Sequence, residues 1–177
     1  MIDAKRFERN FNAISEFGAL KGGGLTRLAF SKDDLEARKF LINLIEKNGF
    51  KLKIDNVGNI FAIYDEGCEV GAKPVCVGSH IDSVPNGGFY DGTLGVMAGL
   101  EALTAIKEAG IKLKRPLWLI NFSCEESSRF KTATIGSKII SGKLSQQRLH
   151  ELKDEDGISL FEAMSAAGFK PQNLDEA

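Results

Sequence analysis

The sequence predicts an α/β protein with a mixed, largely parallel sheet flanked by helices, and three observations carry that prediction. Residues 74–78 (Pro-Val-Cys-Val-Gly) and 116–122 (Pro-Leu-Trp-Leu-Ile-Asn-Phe) are short and apolar on both sides, as strands buried on two faces are. Between them, 93–109 is a long helical stretch stopped by Gly110. Strand, helix and strand in that order form a parallel βαβ unit.

The remaining elements follow from spacing. Phe7, Phe11, Ile14 and Phe17 share one face of a helix over 7–20, which the run Gly22-Gly23-Gly24 breaks. Ser31 stands as an N-cap before Asp33 and Asp34, whose charges suit the first turn of a helix. Ala37, Phe40, Leu41, Leu44 and Ile45 then repeat at helical spacing until Gly49. Phe50, Leu52 and Ile54 alternate with Lys51, Lys53 and Asp55, a strand with one wet face. With 59–64 beyond the turn Asn56-Val57-Gly58, it reads as a hairpin. Short helical patterns follow at 136–141, 145–152 and 159–167, and 171–177 is polar without a stop signal.

The 177 residues suffice for one domain. A net charge of -1 argues against a nucleic-acid or polybasic membrane surface. No apolar run approaches the roughly 20 residues that cross a bilayer, and the polar N-terminus lacks a signal-peptide core. Three cysteines without paired spacing, Cys68, Cys76 and Cys124, argue against a disulfide framework and for a reducing, cytoplasmic location.

The chemistry concentrates where the two apolar strands end. His80 and Asp82 follow the first, Asp91 closes the glycine-rich loop beyond it, and Glu125 and Glu126 follow the second. If those strands are parallel neighbours, one imidazole and four carboxylates meet at the carboxyl edge of the sheet, where open α/β folds bind ligands. Separately, a His-x-Asp triplet is commonplace, an Asp-Gly pair is a turn, and paired glutamates are a solvated loop or helix start. In order at successive strand ends, they suit a pair of divalent ions sharing a bridging carboxylate and activating a water. Neutral His80 is a nitrogen ligand, and Asp82 is placed to accept its other ring N–H. Asp91 can bridge two ions. Of the adjacent glutamates, pointing in different directions, one can ligate and the other take a proton. Zinc fits the ligand types, and manganese or cobalt the carboxylate-rich set.

The segment 78–92 (Gly-Ser-His-Ile-Asp-Ser-Val-Pro-Asn-Gly-Gly-Phe-Tyr-Asp-Gly) resembles the metal-binding loop of the aminoacylase/carboxypeptidase-G superfamily of di-metal amidohydrolases. With 125–130 (Glu-Glu-Ser-Ser-Arg-Phe), it resembles the N-carbamoyl-L-amino-acid hydrolase and allantoate amidohydrolase branch. The resemblance implies the N-terminal part of a zinc-dependent exopeptidase-type catalytic domain, with His80, Asp91 and Glu126 as metal ligands, Asp91 bridging. It implies Glu125 as general base, Asp82 as the residue holding His80, and a cis Asp91–Gly92 peptide. It also implies two metal ions, a ureido or N-acyl amino acid substrate and a homodimeric parent. The superfamily's further ligands and its lid and dimerisation domain have no counterpart here, so residues 1–177 are expected to form a partial catalytic domain. Alone, that part is expected to be inactive, to bind metal weakly and to self-associate through exposed surface. A peptidase or aminoacylase of the same superfamily, or a non-catalytic module, are the alternatives.

Other conspicuous residues read as structural. His150 lies in a charged helix, Cys124 has no histidine partner, Trp118 alternates with core residues, and Gly95 and Gly99 permit close packing of their helix on the sheet. Arg129 suits either a loop salt bridge or an anionic substrate.

Overall fold

The computed structural model describes residues 1–174, so the last three residues of the polar 171–177 segment lie outside the described residues. The chain folds as α1 (Ala4–Ser15), α2 (Lys32–Lys47), β1 (Lys51–Ile54), β2 (Ile60–Tyr64), β3 (Val75–Ser79), α3 (Thr93–Glu108), β4 (Leu117–Asn121), α4 (Ile135–Ile140), α5 (Gln146–Glu151) and α6 (Leu160–Ala166). Local chemistry sets the ends. Ser31 accepts a hydrogen bond from the Asp34 amide and caps α2, while Ser159 and Glu162 form a reciprocal capping box on α6.

The four strands lie in the order β1-β2-β4-β3. The hairpin β1–β2 is antiparallel, as expected, and β3 pairs parallel with β4 across the α3 connection. The sheet is mixed, but its parallel share is smaller than expected: β2 also pairs antiparallel with β4, so one pairing in three is parallel. An apolar stretch does not reveal its neighbour in the sheet, and the hairpin turned out to pair with the inner strand. For the same reason β3 is an edge strand rather than one buried on both faces; Val75 and Val77 are 46% and 42% exposed.

Helix α3 packs closely on this sheet because two glycines let it. A Cβ at Gly99 would lie 2.7 Å from the Leu119 side chain, and one at Gly95 would lie 2.7 Å from Ser79 Cβ. Ile14, Leu41, Ile45, Ile60, Met97 and Leu119 form the main core between the sheet and α1, α2 and α3. Each such side chain contributes about 1.5–3 kcal/mol through burial. A second core, with Phe130, Ile135, Leu149 and Leu160, joins α4, α5 and α6 to the segments after α1 and β4. Trp118 is half-buried, edge-on to Phe61 at 6.0 Å. No helix among the described residues is long and apolar enough to cross a membrane.

Candidate active site

Parallel pairing puts the ends of β3 and β4 side by side, with Ser79 opposite Asn121. His80 therefore emerges beside the turn that carries Glu125 and Glu126. Its Nδ1 lies 2.9 Å from the Asp82 carbonyl oxygen. A carbonyl can only accept, so Nδ1 carries a proton, and in the neutral ring the lone pair is then on Nε2. That Nε2 faces carboxylates: Glu125 Oε2 is 3.4 Å away and Asp91 Oδ1 is 4.0 Å away.

Asp82 does not hold His80 in the expected way. Its backbone carbonyl accepts the imidazole N–H, while its carboxylate Oδ1 stands 3.6 Å from Nδ1. The carboxylate instead accepts the amides of Glu125 and Glu126, at 3.2 and 3.0 Å. One residue thus orients the histidine with its main chain and both glutamates with its side chain. Burial, and then the neighbouring Asp34 carboxylate, push the Asp82 carboxyl up to about 6, against the two amide bonds and His80.

The glutamate turn is built from unusual backbone. Cys124 has φ +51°, and its carbonyl and those of its neighbours Ser123 and Glu125 accept the amides of Ile135, Gly136 and Thr134. From the other side, Asn59 Oδ1 accepts the Ser123 amide at 2.8 Å and Arg38 donates to Ser123 Oγ. The turn points both glutamates at His80, contrary to the expectation that they diverge. One ligand atom from each of His80, Glu125 and Glu126 lies within 4.8 Å of the others. Burial raises the Glu126 carboxyl pKa; Asp91 and Glu125 push the same way and His80 opposes.

Asp91 stands at the rim, its side chain 74% exposed and outside that tight trio. The next peptide is not the expected cis bond, since no described peptide is cis. The turn is made at Gly92 with φ +65°, a left-handed conformation that favours glycine. The glycine-rich loop is pinned rather than free. Leu25 and Gly87 exchange amide–carbonyl bonds at 2.9 and 2.8 Å, and the Asn86 amide donates to Thr26 Oγ1.

A nitrogen donor and two carboxylates within 4.8 Å of one another, with Asp91 at the rim 4.0 Å from the imidazole, match the donor types of a divalent metal. The bare face of Gly92 leaves the ring room to sit there. His150 takes no part: it is exposed and stacks on Phe161 at 4.1 Å. Arg129 is tied to Asp154 and the Ala29 carbonyl, which fits the loop salt bridge. The buried groups Arg27, Arg38 and Asn59 fall in no motif and so carry no site signal in the sequence, and Asp34, expected only as a first-turn acid of its helix, is fully buried.

Residues 76–170, just over half of the chain, match the profile of peptidase family M20/M25/M40. The chain belongs to that family. Among its relatives is the N-carbamoyl-L-amino acid amidohydrolase of Geobacillus stearothermophilus, 37% identical over all of this chain and 43% of that protein. The allantoate amidohydrolase of Bacillus subtilis is 36% identical over 88% of this chain and 38% of its own length. A hydantoinase/carbamoylase family amidase from Burkholderia ambifaria superposes with a TM-score of 0.90 at 37% identity, covering 96% of this chain and 41% of that one. The M20-family chain described here thus spans about two fifths of the length of these relatives.

Proposed function

We propose that this chain belongs to a metal-dependent amidohydrolase that cleaves a non-peptide C–N bond in an N-carbamoyl-L-amino acid, allantoate or a related ureido acid. The observation that carries the reading is His80 Nε2 turned toward Glu125 and Asp91 with Glu126 beside them. The substrate class is that named for the amidohydrolase relatives.

In this reading His80, Asp91 and Glu126 would hold divalent metal, Asp91 having an oxygen to offer each of two ions, and zinc would suit the ligand types. Bound ions supply Lewis-acid polarisation of the scissile carbonyl and make water a competent nucleophile near neutral pH. Glu125 takes the proton of the attacking water and passes it to the leaving nitrogen, a role worth about 10²–10⁴-fold in rate. Asp82 orients both halves of the site: its carbonyl holds the Nδ1–H tautomer of His80, and its carboxylate fixes the amides of the glutamates. The residues are read as part of a catalytic unit with further ligands, so the 177-residue chain alone holds metal weakly and turns over little. Three free cysteines support a cytoplasmic setting, and the uncovered β3 edge is the surface through which isolated chains associate.

The test is Glu125→Gln in the longest protein that carries this segment. Turnover of N-carbamoyl amino acids and allantoate should vanish while metal content, measured by mass spectrometry, is unchanged. Turnover near that of the unsubstituted protein sinks the assignment of Glu125. A substrate panel in which only dipeptides are cleaved would establish the peptidase reading instead.

A further inference from the structure

Arg27 is fully buried, yet no carboxylate among the described residues forms an ion pair with it. Burying a guanidinium without a counter-charge is costly unless its N–H groups are satisfied in another way. Four of the five are: Nε donates to the Ile81 carbonyl at 2.6 Å, Nη1 to the carbonyls of Ile14 and Phe17 at 2.7 and 3.1 Å, and Nη2 to Thr93 Oγ1 at 2.8 Å. Its backbone joins in: the Arg27 amide donates to Ser83 Oγ, and the Ser83 amide donates to the Arg27 carbonyl, both at 2.9 Å.

The addresses of these bonds matter. Ile81 lies between His80 and Asp82, whose carbonyl sets the His80 tautomer. Thr93 opens α3 two residues after Asp91 and next to the glycine that packs on the His80 ring. Ile14 and Phe17 belong to the end of α1 and the turn beyond it, part of the main core. We propose that Arg27 is a positioning residue that fixes the spacing of His80 and Asp91 by clamping Ile81 and Thr93 to the end of α1. The inference rests on reading His80 and Asp91 as ligands. A planar fork suits the task because its donors diverge in fixed directions; an ammonium is a compact point charge on a flexible stem.

The experiment compares the unsubstituted 177-residue chain with Arg27→Lys and Thr93→Val, each in a His150→Gln background where His80 is the sole histidine. The metal-free readout is the His80 ring by ¹⁵N NMR, far below the unfolding temperature and at a pH where imidazole is neutral. In the reference chain the ring is the single Nδ1–H tautomer; in both variants it becomes a mixture. The second readout is titration with cobalt(II) alone, in which the variants bind about 10–100-fold more weakly, the usual cost of losing a partner that orients a ligand. A merely structural Arg27 would lower the melting temperature and leave the folded ring and the cobalt affinity as they were, and that result overturns the proposal. If Arg27→Lys does not fold, Thr93→Val decides, since it removes one acceptor while keeping size and branching. A reference chain that binds no cobalt but whose ring tautomer depends on Arg27 supports the clamp, and the metal reading is then decided by cobalt titration of the longest protein that carries this segment, where absence of binding refutes it.

Discussion

The backbone of Gly92 lies against the imidazole of His80: a Cβ on Gly92 would fall 2.5 Å from Nδ1 and 2.6 Å from Nε2. No rotamer change at position 92 relieves that overlap, because a Cβ is fixed by the backbone. Gly92 also holds φ +65°, so alanine there is strained twice over. Gly92→Ala should cost more than about 1 kcal/mol in urea unfolding, the usual scale for alanine at a left-handed site. It should also displace His80 and lower cobalt affinity. Retention of both stability and affinity would show that the ring and the backbone are not in contact.

Asp82 carries a different kind of load. Two consecutive amides, those of Glu125 and Glu126, end on the carboxylate of this residue, which is 1% exposed. Asp82→Ala leaves both donors without a partner, and each such group costs about 1–3 kcal/mol. The variant should lose that order of stability, and amide hydrogen exchange at Glu125 and Glu126 should accelerate relative to β4. Unchanged exchange at these two amides would contradict the carboxylate's role.

The acid limb of stability should report the tie between α1 and α3. Glu101 is 5% exposed and accepts hydrogen bonds from Arg6 and from the Asp3 amide. The Arg6 bonds hold its carboxyl below the ordinary value of 4.5. The unfolded chain therefore binds more protons than the folded chain just below that value. The contribution is complete above 4.5 and is lost as pH falls through the lower folded pKa. Urea midpoints followed from neutral to about pH 3 should fall more steeply for the unsubstituted chain than for Glu101→Gln. Parallel curves would rule the pair out.

What could be read from sequence divides along physical lines. Periodicity located α2 and the hairpin to within a residue or two, because one face of each is buried and the pattern repeats. The strand-end logic brought His80, Glu125 and Glu126 together, since parallel pairing of β3 with β4 requires it. Sheet position is not legible: an apolar five-residue strand looks alike at the centre and at the edge, and β3 lies at the edge. Arg27 was equally hidden. Its charge reads as a surface residue, and its partners Ile14, Ile81 and Thr93 are distant in sequence and mostly main-chain. The Asp82 contact was half legible, since a short triplet fixes the neighbour but not whether carbonyl or carboxylate makes the bond.

The β3 edge yields the last prediction. Its five residues, Val-Cys-Val-Gly-Ser, carry no charge and no proline, the usual devices that keep an open edge from pairing with another chain. Val77 is a poor place to install a charge, because it also packs near Gly99 on α3. Cys76 is exposed, and as its immediate neighbour in the strand it points to the opposite face. Cys76→Lys therefore adds a charge to the edge without touching the α3 packing. Light scattering over a concentration series should show association in the unsubstituted chain and a shift toward monomer in Cys76→Lys. Reductant in both samples keeps disulfide exchange out of the comparison. An identical concentration dependence would place the association elsewhere on the molecule, away from this strand.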